Sequence, residues 1–336
     1  MEKIETALFV KTFTKLPMPI AAKRSRKHAP KVVCIVGVTA SGKTTLGVQL
    51  AKEFHGEIIN ADARQIYRRV SIGTGKPEGS SRLYRRRYRA FIHDGIPHYL
   101  MDFLPPTQQY SVSEWKAGAL KDITGITKRK HLPIVVGGTG LYISSLVDNL
   151  AFPEVPPQLE FRKAFEEKSL EELVHFLLHL DPEAAAFIDL KNKRRVVRAL
   201  EIMTFTGKKI SASREKGEPL VDCLQIGIER DLEISVERAY HVIDNMVDRG
   251  LFSEVEALME AKIPNDAPAL TAIGYRDIMR SIRGEITREE AICNLKKLTR
   301  AYIKRQRTWF KRDPRIVWVH NREEGVRVVK DWLEEK

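Results

Sequence analysis

An α/β fold, a parallel sheet covered by helices and carrying a helical insertion, is predicted by three features of the 336-residue sequence. Strand-like and helix-like runs alternate from Lys31 to Val136, the pattern of a parallel sheet with crossover helices. The loop Gly37-Val-Thr-Ala-Ser-Gly42-Lys43-Thr44 fits G-x-x-x-x-G-K-[ST] with an apolar strand before it and a helix after it, so the core is expected to be P-loop NTPase-like. Between roughly Pro156 and Gly217 strands give way to helical periodicity, and β-like runs return afterwards. The expected organisation is a basic mobile tail over 1–30, a discontinuous α/β core over 31–155 and 218–336, and a helical insertion over 156–217.

The tail holds Lys23-Arg-Ser-Arg-Lys27 with Pro17, Pro19 and Pro30 and no sustained period. With Glu2 and Glu5 and no continuous apolar stretch it makes a poor secretory signal, organelle import being the lesser alternative. The expected elements then run as strand Val32 to Val36, helix to Phe54, strand Glu57 to Asn60, a polar segment, strand His98 to Phe103, helix Val112 to Arg129 and strand Pro133 to Val136. LEELVHFLLHL and RRVVRALEIM read as helices of the insertion. Cys223 to Glu229 and Ile316 to His320 read as later strands, with helices between.

Composition narrows the function classes. The 57 Lys and Arg exceed the 44 Asp and Glu, a net charge of +13, which suits a polyanionic partner such as nucleic acid; a solvated basic surface is the competing reading. Cys34, Cys223 and Cys293 lie far apart without C-x-x-C pairing, which argues against a zinc site or disulfide framework and fits a reducing compartment. No apolar run approaches the ~20 residues of a membrane span.

Four constellations carry chemistry. In the P-loop, inward-turned N–H groups and a helix N-terminus cradle a diphosphate or triphosphate, Lys43 adds a full charge, and the Thr44 hydroxyl can ligate Mg²⁺. Asp62, just beyond the second strand, could bind Mg²⁺ through water, act as a general base, or cap the following turn. Val136-Gly-Gly-Thr139-Gly-Leu-Tyr142 is a second glycine-rich turn, with Thr139 either a substrate contact or a helix N-cap. In Lys296 to Arg312, Lys297, Arg300, Lys304, Arg307 and Lys311 fall on one helical stripe; Leu298, Tyr302 and Trp309 on another face would anchor the helix. With no acidic residue in the stripe, contact with a phosphate backbone is favoured over a solvated face. Arg82 to Arg89, with Tyr84 and Tyr88 among arginines, suits stacking on unpaired bases.

Taken in order, GVTASGKT, NADARQIY, IGTGKP, IPHYLMDF, YSVSEW, VVGGTGLY, RRVVRALEI, AIGYRD and TRAYIKRQRTWF resemble the motifs of the tRNA dimethylallyltransferases, over roughly Lys31 to His320. The resemblance implies transfer of a dimethylallyl group from dimethylallyl diphosphate to N6 of the adenosine 3′ of the anticodon, in tRNAs whose anticodon ends in A. It implies Asp62 as general base, Thr139 orienting the amine and Lys43 stabilising the leaving group. A diphosphate site of Gly37, Thr39, Ala40, Ser41, Gly42, Lys43, Thr44 and Thr45 follows, with Mg²⁺ on Thr44. It places the anticodon stem-loop against Gln65, Thr74 and Lys76, Arg195 in the insertion, and Lys297, Arg300, Lys304, Arg305 and Arg307. A cytoplasmic monomer is the expectation. Three departures stand out: Val38 replaces the usual loop proline, Ala63 a usual serine, and Val242 an arginine expected to contact diphosphate, for which Arg238 or Arg230 would substitute. The rival readings are an adenylate isopentenyltransferase, a P-loop nucleoside kinase, and a tRNA-binding protein without catalysis.

Overall fold

The computed structural model describes residues 29–84, 88–153, 155–156, 158–211 and 217–335. Nearly all of the expected tail and Arg85 to Arg87 lie outside the described residues. Among these residues no helix is long and apolar enough to cross a membrane.

Eight strands form one sheet. In chain order they are β1 (Lys31–Val36), β2 (Gly56–Asn60), β3 (Ser80–Tyr84), β4 (Tyr88–His93), β5 (Ile96–Tyr99), β6 (Leu132–Val136), β7 (Asp222–Ile228) and β8 (Ile316–Val319). Their spatial order is β3-β4-β5-β2-β6-β1-β7-β8, with every pair from β5 to β8 parallel. β1 lies between β6 and β7, so it is buried on both faces: Val32, Cys34 and Val36 point to one side and Val33 and Ile35 to the other.

Helices α1 (Lys43–Glu53), α2 (Val112–Lys128) and α3 (Gly140–Val147) cover the sheet. On one face α2 and α3 bring Trp115, Ile123, Ile126 and Leu146; on the other α1 brings Leu46 and Leu50. Trp115 stacks on Tyr142 at 4.5 Å between ring centroids and donates its indole N–H to Asn60 O, pinning the end of β2.

The sheet differs from expectation at its edge. The segment read as merely polar contains the β3–β4 hairpin, antiparallel to its neighbours. The strand expected over His98 to Phe103 is instead Ile96–Tyr99, because Leu100 and Asp102 take positive φ of 54° and 53° and end it. The hairpin's Tyr88 ring is covered by the Arg129 guanidinium at 4.5 Å, and Tyr84 packs against the core, which takes both rings away from the expected base-stacking role.

In the insertion, α4 (Leu159–Glu166), α5 (Leu170–Leu180) and α6 (Lys193–Thr206) share a small core of Leu173, Leu177, Val196 and Leu200. Buried Glu201 ties α4 to α6, accepting from Arg162, Arg198 and Gln158 N. After β7 come α7 (Leu232–Asp248), α8 (Leu251–Glu260), α9 (Tyr275–Ile282), α10 (Arg288–Lys311) and, after β8, α11 (Arg322–Glu334). α11 packs on α1, whereas α8 and α9 build a second core with Ile66, Tyr67, Val70 and Leu104 from the loops beyond β2 and β5. The C-terminal part therefore completes the sheet and also walls its ligand end.

Candidate active site

In a parallel sheet the strands' C-terminal ends converge, and three loops meet here. The P-loop leaves β1 through Gly37 at φ 145°, Ala40 at φ 61° and Gly42 at φ 98°; a Cβ on Gly37 would lie 3.2 Å from Ser41 Oγ. α1 starts on Gly42 with no side-chain cap and no acidic residue in its first turn, leaving its N–H groups and partial positive charge for an anion. Lys43 Nζ donates to Val38 O at 2.6 Å, and burial pushes its pKa down to about 8 against the opposing charge of Asp62. Arg230 reaches the loop, its Nε 3.2 Å from Ser41 O. Arg238, offered as the substitute for an arginine at Val242, is exposed on α7 with no hydrogen bond or ion pair among the described residues, while α7 meets the loop through Val236 and Ala239.

Beyond β2, Asp62 is held by its backbone. Its N–H donates to Asn60 Oδ1 at 3.1 Å, its carbonyl accepts from Asn60 Nδ2 at 3.0 Å, and its Oδ1 accepts from Arg64 N at 2.8 Å. The carboxylate thus caps its own turn with one oxygen, as the simpler reading held, and keeps the other for a proton or a water. Thr139 precedes α3 without capping it. Its Oγ1 instead accepts from Ala63 N at 3.0 Å, tying the second glycine turn to the Asp62 loop and leaving the hydroxyl proton to donate.

The connection between these loops is a residue the sequence reading missed. Gln306 of α10 is 4% exposed. Its Oε1 accepts from Thr39 N at 2.8 Å and Thr39 Oγ1 at 3.2 Å, and its Nε2 donates to Gly138 O at 2.9 Å. A Cβ on Gly138 would fall 2.3 Å from that Nε2, and one on Gly140 2.3 Å from Trp309. These glycines admit a helix, α10. Leu298 is exposed rather than anchoring, Trp309 rests on Gly140 with its outer part exposed, and the buried anchors are Leu295, Ile303, Gln306 and Phe310.

No group of three His, Cys, Asp or Glu able to hold a metal occurs among the described residues. The Thr44 hydroxyl and the Asp62 carboxylate are hard oxygen donors of the kind Mg²⁺ accepts, too few to hold the ion by themselves.

A sequence model described as IPP transferase matches residues 65–313, and one described as isopentenyl transferase matches residues 30–96. The chain belongs to the IPP transferase family. It is 41% identical over 299 residues to a tRNA dimethylallyltransferase of Acetivibrio thermocellus, covering 87% of this chain and 92% of that one. A tRNA isopentenylpyrophosphate transferase of Staphylococcus epidermidis superposes with a TM-score of 0.63 at 34% identity, over 91% of this chain and 99% of that one. A eukaryotic dimethylallyltransferase solved while acting on tRNA gives 0.74 at 25% identity, over 92% and 80%.

In this IPP transferase the residues expected to meet RNA divide. Gln65 Nε2 donates to Thr74 O at 3.2 Å and Gly75 O at 3.1 Å, and the Thr74 hydroxyl donates to Val70 O at 2.8 Å, so both shape the IGTGKP loop. Lys76 leaves the surface altogether: its residue is 5% exposed, and its ammonium donates to Tyr67 O at 2.7 Å and Asp102 Oδ1 at 2.5 Å. The loop is clamped by Glu254, also missed, whose carboxylate accepts from the N–H groups of Ser71, Ile72 and Gly73 and from the Tyr275 hydroxyl. On α10, Arg300 pairs with Glu233 at 2.9 Å, Arg307 donates to Arg230 O at 3.1 Å and Lys311 pairs with Glu229 at 2.5 Å. Acidic neighbours therefore neutralise part of the stripe. Lys297, Lys304 and Arg305 are exposed, and Lys297 and Lys304 have no ion-pair partner among the described residues. Arg195 is exposed at the start of α6, 3.9 Å from Asp189.

Proposed function

We propose that this protein transfers the dimethylallyl group of dimethylallyl diphosphate to N6 of the adenosine 3′ of the anticodon, in tRNAs whose anticodon ends in A, releasing diphosphate. The observation that carries the reading is the meeting of Asp62, held on its own turn and tied through Ala63 N to Thr139, with the P-loop whose Lys43 feels its charge.

The diphosphate lies on the loop N–H groups, the α1 N-terminus and Lys43, which stabilise the charge that grows as the allylic C–O bond breaks. The N6 lone pair forms the new bond to the same carbon, and the N6 proton passes to the free oxygen of Asp62. Thr139 keeps its hydroxyl proton to orient the acceptor base. The Thr44 hydroxyl would hold Mg²⁺ beside the diphosphate, and the ion would supply further neutralisation of the leaving group. A base in a stacked loop reaches such a cleft only by flipping out. The RNA backbone is held by Lys297, Lys304 and Arg305, with Arg195 extending the contact into the insertion over 156–217. The protein works as a cytoplasmic monomer.

Labelled dimethylallyl diphosphate, Mg²⁺ and either total tRNA or AMP test the reading. Label is expected in tRNA; label in AMP alone would favour an adenylate isopentenyltransferase, and label in neither would reject prenyl transfer.

A further inference from the structure

The P-loop follows β1 and the glycine turn bearing Thr139 follows β6, two adjacent parallel strands. Each turn serves one reaction partner in the reading above, the first the diphosphate ester and the second the amine. Beyond the strand ladder, which ends with Gly137 N donating to Ile35 O at 3.2 Å, they are linked by Gln306, whose amide oxygen accepts from one turn and whose amide nitrogen donates to the other. A buried primary amide suits that task, presenting an acceptor and a donor from one planar group. The missing Cβ of Gly138 leaves the space the amide fills, and Trp309, one turn further along α10, seats in the same way on Gly140.

We propose that Gln306 is a positioning residue that sets the separation between the allylic carbon and the amine it alkylates. The inference rests on the prenyl-transfer reading. If the two turns lose their common brace, each substrate still binds its own turn, but the amine no longer sits at attack distance when the C–O bond breaks. Solvent water then forms the bond to that carbon, losing a proton to Asp62 or bulk water, and the products become dimethylallyl alcohol and diphosphate.

The experiment uses the wild type with Gln306→Met, which keeps the length and removes all three hydrogen bonds to the two turns, and Gln306→Glu, which keeps the acceptor for Thr39 and loses the donor for Gly138. Gly138→Ala displaces the amide from the other side. With labelled dimethylallyl diphosphate, Mg²⁺ and tRNA, prenylated tRNA and labelled alcohol are measured together, alongside thermal unfolding. The expected result is KM for both substrates within about threefold of wild type, kcat lower by about 10-fold or more, and the ratio of alcohol to prenylated tRNA higher by about 10-fold. An unchanged ratio, with rate lost only in proportion to folded protein, would overturn the positioning role. Should neither Gln306 variant fold, the ratio in Gly138→Ala decides. Absence of transfer by the wild type would instead reject the underlying function, and the role with it.

Discussion

Replacing Asp62 by asparagine separates the two roles its carboxylate plays. Asparagine keeps an oxygen where Asp62 Oδ1 accepts from Arg64 N at 2.8 Å, so the turn after β2 survives. It removes the proton acceptor and the negative charge beside Lys43. Loss of a general base costs about 10²- to 10⁴-fold in rate, or about 3 to 5 kcal/mol of barrier at about 1.4 kcal/mol per decade. Without the Asp62 charge the Lys43 pKa falls further below about 8, so the comparison belongs well on the acid side of that value, with the pH dependence of both proteins recorded. Asp62→Ala forfeits in addition the acceptor for Arg64 N, which costs about 1 kcal/mol of stability. Single-turnover transfer from labelled dimethylallyl diphosphate to tRNA, with denaturant unfolding alongside, should show Asp62→Asn inactive and stable and Asp62→Ala inactive and weakened. Asp62→Asn turnover within about 10-fold of wild type, with Asp62→Ala alone impaired, would show that the turn matters and the base does not.

Three further outcomes follow from the geometry. Because the Lys43 pKa lies at about 8 in the free protein and an anion raises it, the Lys43 contribution to inorganic diphosphate affinity, read against Lys43→Arg so that the ligand's own titration cancels, should be flat below that pH. Above it that contribution should fall by up to about tenfold per unit; titration calorimetry should show this limb in the wild type and not in Lys43→Arg, and an equal limb in both would assign it to another group. A Lys297→Ala, Lys304→Ala variant should bind tRNA more weakly, with the log–log salt slope reduced by about 1 to 2 units. Arg300→Ala, its charge already met by Glu233, should change that slope less; equal effects would mean the pairing opens on binding. Lys76→Ala should cost about 1 to 3 kcal/mol in denaturant unfolding by removing the ammonium from Asp102 and Tyr67 O, and unchanged unfolding with weakened tRNA binding would return Lys76 to the RNA surface.

Read locally, the sequence determined the P-loop, its flanking strand and helix, and the arrival of Asp62 and Thr139 at neighbouring strand ends. Each depends on short-range periodicity and on a rule of parallel sheets that needs no knowledge of distant contacts. The β3–β4 hairpin escaped because its strands lie at an edge, where β3 is half or fully exposed and shows no apolar alternation. The charge stripe on α10 was legible as a helical face, but the acids that neutralise it belong to β7's end and α7, 82 and 67 residues earlier. Only the tertiary structure could place Gln306 and Glu254. Their partners are backbone groups of loops 267 and 183 residues away in sequence, and a backbone amide carries no side-chain signature for a sequence to display. Lys76 is the converse: its charge was read correctly, while its burial against Asp102 followed from how two loops beyond separate strands pack on α8 and α9.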